Sequence, residues 1–255
     1  MTPLYDQLLA NRKEGRKAFA VLIDPDKAGS ARSLGEQIRL AVQNRVDFFF
    51  VGGSLITDGD LSKTIASIKE SCEVPIVLFP GSNLQIDISA DAILFLSLIS
   101  GRNPELLIGQ HVVAAPVLKR SRLEVISTGY ILVDSGNRTT VAYMSNTQPI
   151  PADKPSVAAS TAIAGEMLGL KMIYLDGGSG ALNPVPYKMI NLVRKSVDVP
   201  LIVGGGINSR EKAHRALEAG ADLLVIGNGA EKNPNLIVEV SEKVYEFNQA
   251  LSLSS

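Results

Sequence analysis

The chain has 255 residues, 45% of them hydrophobic and 20% charged, with 25 Lys and Arg against 26 Asp and Glu. This composition reads as globular, and a net charge of −1 gives no electrostatic case for nucleic acid, so an anionic ligand has to be held by local groups. The lone Cys72 excludes an intrachain disulfide and a cysteine-built metal site, which fits a cytoplasmic protein.

Residues 1–17 carry charges throughout and no apolar core of a signal peptide, so no secretion signal is expected. Leu4, Leu8 and Leu9 predict a short amphipathic helix closing one end of a barrel. Eight short runs rich in β-branched and aromatic residues follow, at 18–23, 47–51, 75–79, 91–96, 130–133, 171–175, 200–203 and 222–226. They are continuously apolar, as parallel strands buried on both faces are. None is long enough to cross a bilayer, so no transmembrane segment is expected.

Between these runs the pattern turns helical, most clearly at 34–44, 61–71, 159–168, 187–196 and 210–219. Eight strands with helical crossovers in a chain of this length predict one (β/α)8 TIM-barrel domain spanning 1–255. Two stretches disturb the rhythm. The segment 81–89 is too short and polar for a full helix, which predicts one irregular or missing helix. From Val112 to Thr140 the pattern reads as more strand-like than helical, which predicts a longer fifth strand or an extra hairpin.

In such barrels chemistry sits at the C-terminal strand ends. Here those ends are Asp24-Pro25-Asp26-Lys27, Gly52-Gly53-Ser54, Pro80-Gly81-Ser82, Asp176-Gly177-Gly178-Ser179-Gly180, Gly204-Gly205-Gly206 and Gly227-Asn228-Gly229. The glycine loops after the seventh and eighth runs have the form of a phosphate cup, because glycine lets backbone N–H groups approach an anion and helix N-termini favour negative charge. Asp176, beside that cup, is placed either to accept a proton from a substrate hydroxyl or to orient its loop. Asp24 with Ser54 suits Mg2+, which takes few protein groups and keeps water and phosphate oxygens, although a capping Asp24 satisfies the sequence equally well. Lys27 either faces a phosphate or is simply solvated. His214 falls in an outer helix and His111 in a loop region, both expected to be structural or solvent-exposed.

Taken in order, Leu22 through Lys27, Phe50 through Ser54, Phe79 through Ser82, Tyr174 through Gly180, Gly204 through Ile207 and Val225 through Asn228 resemble the geranylgeranylglyceryl phosphate synthase family, including its bacterial heptaprenyl-using relatives. The resemblance runs from about Ala18 to Gly229, nearly the whole chain. It implies a prenyltransferase that joins a polyprenyl diphosphate, geranylgeranyl foremost, to the primary hydroxyl of sn-glycerol 1-phosphate and releases pyrophosphate. By the same match Asp24 and Ser54 would hold Mg2+. Tyr174, Leu175, Asp176, Gly177, Gly178, Ser179, Gly180, Gly205, Gly206, Gly227 and Asn228 would hold glycerol phosphate, with Asp176 and Tyr174 catalytic. The relatives are dimers or larger, so a homo-oligomer is implied. Asp176 and Gly177 stand where the family commonly has Glu and Ala. Leu22 stands where some members carry a phosphate-binding Lys that the longer-chain subgroup typically lacks, which implies membership of that subgroup.

The implied chemistry needs no histidine. An allylic diphosphate leaves once a metal neutralises its charge, and a positioned hydroxyl then attacks. Segments 93–99, 112–118 and 158–168 are candidate walls for an isoprenoid groove, or ordinary core. Two other functions satisfy the glycine loops: an isomerase or lyase using Asp24 and Asp176 as an acid and base pair, and a non-catalytic barrel that binds a phosphorylated metabolite.

Overall fold

A computed structural model describes residues 3–253; the outermost two residues at each end, which the sequence reading includes in the domain, lie outside the described residues. Eight parallel strands pair in chain order and close on themselves: β1 (Ala18–Ile23), β2 (Phe48–Val51), β3 (Ile76–Leu78), β4 (Ala92–Leu98), β5 (Glu124–Leu132), β6 (Met172–Asp176), β7 (Leu201–Gly204) and β8 (Leu223–Ile226). Closure is made by β1 against β8, with Ala20 opposite Val225. All eight runs expected to be strands are strands, so the fold is a (β/α)8 TIM barrel.

Outside the barrel lie α2 (Ala31–Gln43), α3 (Leu61–Ser71), α4 (Gln110–Arg120), α5 (Thr140–Ser145), α6 (Pro155–Met167), α7 (Tyr187–Ser196), α8 (Arg210–Glu218), α9 (Asn228–Lys232) and α10 (Asn235–Ser252). Local chemistry starts several of them: Ser30, Asp60 and Ser209 accept the third-residue N–H groups of α2, α3 and α8. The first helix, α1 (Leu4–Glu14), presses Leu4 and Leu8 onto the barrel's interior residues and closes its N-terminal end. Its first N–H groups, on Leu4 and Tyr5, donate to the Glu124 carboxylate at 2.5 and 2.9 Å.

Strand residues alternate between two cores. Ala20, Phe48, Phe50, Val77, Leu94, Tyr130, Met172, Tyr174, Ile202 and Val225 fill the interior. Phe19, Val21, Phe49, Val51, Ile131, Ile173, Leu175 and Val203 pack outward against the helices. This alternation places Tyr174 and Asp176 inward and Leu175 outward.

As expected, no helix forms between β3 and β4. Buried Gln85 organises that loop instead: its Oε1 accepts from the N–H of Gly81 at 3.0 Å and of Gly53 at 3.4 Å, joining the exits of β2 and β3. Gly52 is needed beside it, since a Cβ there would lie 2.2 Å from the Phe79 carbonyl oxygen.

The stretch after Val112 corrects the sequence reading. Strand β5 is long, at nine residues, but Gln110–Arg120 is helix, entered through a π-helical turn at Glu105–Gly109, and no hairpin forms among the described residues. His111, Ala114 and Leu118 make one buried helical face, while Val112, Val113 and Val117 lie exposed on the other. Those outward β-branched residues, with Pro116 inside the helix, carry the strand signal. His111 is therefore buried in a helix, not in a loop; its Nε2 lies 3.1 Å from Ser97 Oγ and its ring meets Phe95 edge-on. No helix among the described residues is long and apolar enough to cross a membrane.

Candidate functional site

At the C-terminal end of the barrel the strand exits enclose a pocket of about 370 Å³. Its wall runs from Asp24, Asp26 and Lys27 after β1, through Gly53, Ser54 and Leu55 after β2, to the loops that leave β6, β7 and β8. The rings of Phe79, Tyr130 and Tyr174 line it from the barrel interior. Phe79 stacks on Tyr174 at 5.2 Å between centroids, and Tyr130 meets Tyr174 edge-on at 5.4 Å. This cluster follows from register, since Tyr130 and Tyr174 are direct partners across β5 and β6.

Asp176 sits at the inner end of this wall with only 6% of its surface exposed. Its Oδ2 accepts from the Tyr130 hydroxyl at 2.6 Å and its Oδ1 from the Gly178 N–H at 2.8 Å. Burial raises its carboxyl above the ordinary range, and the two donors hold the rise back. Burial, with the Asp176 charge beside them, pushes the Tyr130 and Tyr174 phenols well up, so both are neutral donors. Among the described residues the Tyr174 hydroxyl makes no hydrogen bond and is available to a ligand.

The β7 exit presses against this carboxylate. Gly205 has φ +76°, and a Cβ there would lie 2.6 Å from Asp176 Oδ1 and from the Gly177 nitrogen. Only glycine brings the loop so close. Ser179 Oγ donates to Asn228 Oδ1 at 3.1 Å, tying the β6 loop to the start of α9, where the Ala230 and Glu231 N–H groups turn back onto the Gly227 carbonyl.

The structure brings nine of the eleven expected phosphate-site residues to the pocket: Tyr174, Asp176, Gly178, Ser179, Gly180, Gly205, Gly206, Gly227 and Asn228. Leu175 and Gly177 do not line it. Leu175 points into the helix-facing core, and the Gly177 N–H is spent on the Gly204 carbonyl at 3.1 Å. The Gly178 N–H, given to Asp176, is likewise engaged.

Asp24 and Ser54 share one side of the pocket. Asp24 pairs through Oδ2 with Lys27 Nζ at 2.8 Å and accepts the Asp26 N–H through Oδ1 at 3.1 Å. A Cβ at Gly53 would come within 3.2 Å of the Asp24 carboxylate. Ser54 Oγ has no hydrogen-bond partner among the described residues. Among those residues no three His, Cys, Asp or Glu side chains gather as metal ligands. The arrangement of one carboxylate already facing a cation beside one open hydroxyl therefore fits only a metal that takes most of its shell from water and substrate, as Mg2+ does.

Several pocket residues escape a sequence reading. Tyr130 and Phe79 converge only through strand register, which no local motif records. Glu231 lines the pocket one turn into α9, where burial raises its carboxyl, Lys27 draws it back and Asp24 pushes it up. The sole signal for it was its position three residues after Asn228.

A second, mostly apolar groove of about 390 Å³ opens beside the pocket, lined by Leu61, Leu84, Leu96, Leu98, Leu106 and Met144 among others. Gly53, Ser54, Leu55, Phe79 and Tyr130 belong to both. Of the candidate wall segments, 93–99 supplies Leu96 and Leu98; 112–118 supplies only Ala114 and Leu118 of a separate small cavity under α4, and 158–168 lines neither.

The PcrB family model matches residues 11–245. A geranylgeranylglyceryl phosphate synthase of Spirosoma linguale is 56% identical over 98% of this chain and 99% of its own length. One from Thermococcus gammatolerans is 41% identical over 97% of both. In structure, the (S)-3-O-geranylgeranylglyceryl phosphate synthase of Thermoplasma acidophilum, solved in complex with its substrate sn-glycerol-1-phosphate, superposes with a TM-score of 0.89 at 32% identity, covering 96% of this chain and all of that one.

Proposed function

The chain belongs to the PcrB family, among the geranylgeranylglyceryl phosphate synthases, and from that premise we propose how its own residues transfer a prenyl group to sn-glycerol 1-phosphate. The observation that carries the reading is the shared wall: a polar, glycine-lined pocket and an apolar groove meet at Gly53, Ser54, Leu55, Phe79 and Tyr130. A polyprenyl diphosphate is a molecule of those two halves. Its tail lies along Leu96, Leu98 and Leu106, and its diphosphate lies by Asp24 and Ser54.

Glycerol phosphate takes the cup of Ser179, Gly180, Gly205, Gly206 and Asn228. There the primary hydroxyl oxygen forms the new C–O bond to the first prenyl carbon as the bond from that carbon to the diphosphate breaks. Asp176 accepts the hydroxyl proton, and pyrophosphate leaves. A carboxylate raised by burial and oriented by two donors suits that proton transfer. The π faces of Phe79, Tyr130 and Tyr174 lie where positive charge grows on the allylic carbon, which they attract. Asp24 and Ser54 would hold Mg2+, which supplies neutralisation of the diphosphate charge.

The test is a transfer assay with Mg2+, sn-glycerol 1-phosphate and labelled geranylgeranyl diphosphate, repeated with EDTA. Labelled prenylglyceryl phosphate, lost with EDTA, is the expected result. Folded protein giving no product with this or a longer diphosphate would defeat the proposal, and turnover in EDTA would remove the metal from it.

A homo-oligomer belongs to the same proposal. Ile108, Val112, Val113 and Val117 form an exposed apolar face that a second copy would cover. A monomer by light scattering at micromolar concentration would dismiss it. A cytoplasmic setting, suggested by the single Cys72, is checked by cell fractionation.

A further inference from the structure

Two anions must occupy one pocket, and of the two lysines that line it, Lys27 and Lys232, it is Lys27 that bonds to both of their subsites. Lys27 Nζ lies 2.8 Å from Asp24 Oδ2 and 3.2 Å from Ser179 Oγ. Ser179 is in turn bonded to Asn228 across the phosphate cup. Lys27 thus links the carboxylate of the diphosphate side to the hydroxyl of the glycerol phosphate side.

The two members of this ion pair differ in freedom. The Asp24 side chain is only 14% exposed and held in place by the Asp26 N–H, whereas the Lys27 side chain is 40% exposed on a flexible stem. The carboxylate stays and the ammonium moves. While the ion pair stands, Asp24 is neutralised and offers a divalent cation little. A phosphate beside Ser179 and Asn228 carries up to two negative charges, against one on Asp24. It lies on the side that Nζ already touches.

We propose that Lys27 couples the two subsites: it closes Asp24 to the metal until glycerol phosphate draws it into the cup, and this rests on the functional reading above. Glycerol phosphate should then strengthen binding of Mg2+ with a diphosphate, and by reciprocity the diphosphate should strengthen binding of glycerol phosphate. Without Lys27 the group that joins the two subsites is gone, and the repulsion between the two anions opposes their joint binding. The device favours filling the acceptor subsite before the allylic diphosphate is activated, which limits loss of the prenyl group to water.

The experiment is calorimetric titration of the full chain with Mg2+ plus inorganic pyrophosphate, with and without sn-glycerol 1-phosphate. It is run on wild type, Lys27→Met and Lys27→Gln, with thermal unfolding to confirm folding. In wild type glycerol phosphate should tighten pyrophosphate binding roughly tenfold, within the usual span of such couplings. In both variants that factor should vanish, glycerol phosphate alone should bind more weakly, and Mg2+ with pyrophosphate alone should bind as tightly as in wild type or tighter. Weaker pyrophosphate binding by the variants would make Lys27 an ordinary diphosphate ligand and overturn the coupling. So would an unchanged factor, or two ligands that bind wild type independently. Failure of wild type to bind either ligand would overturn the subsite assignment itself, and the coupling with it.

Discussion

The two ends of the barrel use the same side chain for opposite purposes. At the N-terminal end, an aspartate just before one strand satisfies an N–H at the start of the strand preceding it, the first or the second. Asp47 accepts from Phe19 at 2.9 Å, Asp91 from Ile76 at 2.8 Å and Asp222 from Leu201 at 2.8 Å. At the C-terminal end, Asp24 and Asp176 bond to N–H groups of their own loops and line a pocket. The lower acids complete the sheet's hydrogen bonding, whereas the upper ones are held ready for something that is not sheet. A carboxylate's role therefore follows from which end of a strand it occupies.

The sharpest way to break that contrast is Asp176→Asn. The amide keeps an acceptor for the Gly178 N–H, so the fold should hold, and removing a buried carboxylate should leave stability unchanged or higher. The transfer rate should fall about 10²- to 10⁴-fold, the usual worth of a general base. In wild type the rate should fall as pH drops, beginning above the ordinary carboxylate range because burial raises Asp176. A variant with wild-type turnover would make Asp176 one more structural acid.

Asp222→Ala reverses the expectation. Asp222 is 6% exposed and pairs with Arg194 at 2.5 Å and with Lys17 at 3.7 Å. Burial already lowers the pKa of both cations, and the aspartate offsets this. Its loss leaves two largely buried charges unpaired, at a cost of about 3–5 kcal/mol in denaturant titrations. Turnover per folded molecule should not change. A large drop in kcat with intact stability would erase the division between the two ends.

This division explains how far the sequence could be read. The strands, the glycine loops and the order of strand ends are local signals, and they put nine expected phosphate-site residues in one pocket. Leu175, expected at the phosphate site with the rest of 174–180, has its side chain turned outward from Tyr174 and Asp176 by period-two alternation, which a motif taken as one block does not record. Tyr130 and Gln85 act on groups 46 residues away and on Gly53, 32 residues away, through contacts that exist only once the barrel closes. Helix α4 hid because its exposed valines mimic a strand, and its buried face, marked by His111, Ala114 and Leu118, is sparse.

The smallest and most specific test concerns Asp47. Burial raises its carboxyl to about 6, against the opposing pull of the Phe19 N–H and of Arg16. A raised acid makes the native state bind protons more readily than the unfolded chain. Its contribution is therefore fully present below the unfolded value near 3.8 and is lost as pH rises through about 6. Asp47→Asn keeps an acceptor for Phe19 without the buried charge. Urea midpoints should then match near pH 4 and separate as pH rises, the variant being more stable at pH 7.5 by on the order of 2 kcal/mol. A difference that stays constant across this range, or a wild type that is the more stable at neutral pH, would mean that Arg16 stabilises the ionised form. Asp47 would then belong with Asp222 as a paired acid, and capping of N–H groups at the start of a strand would not suffice to describe the lower end of the barrel.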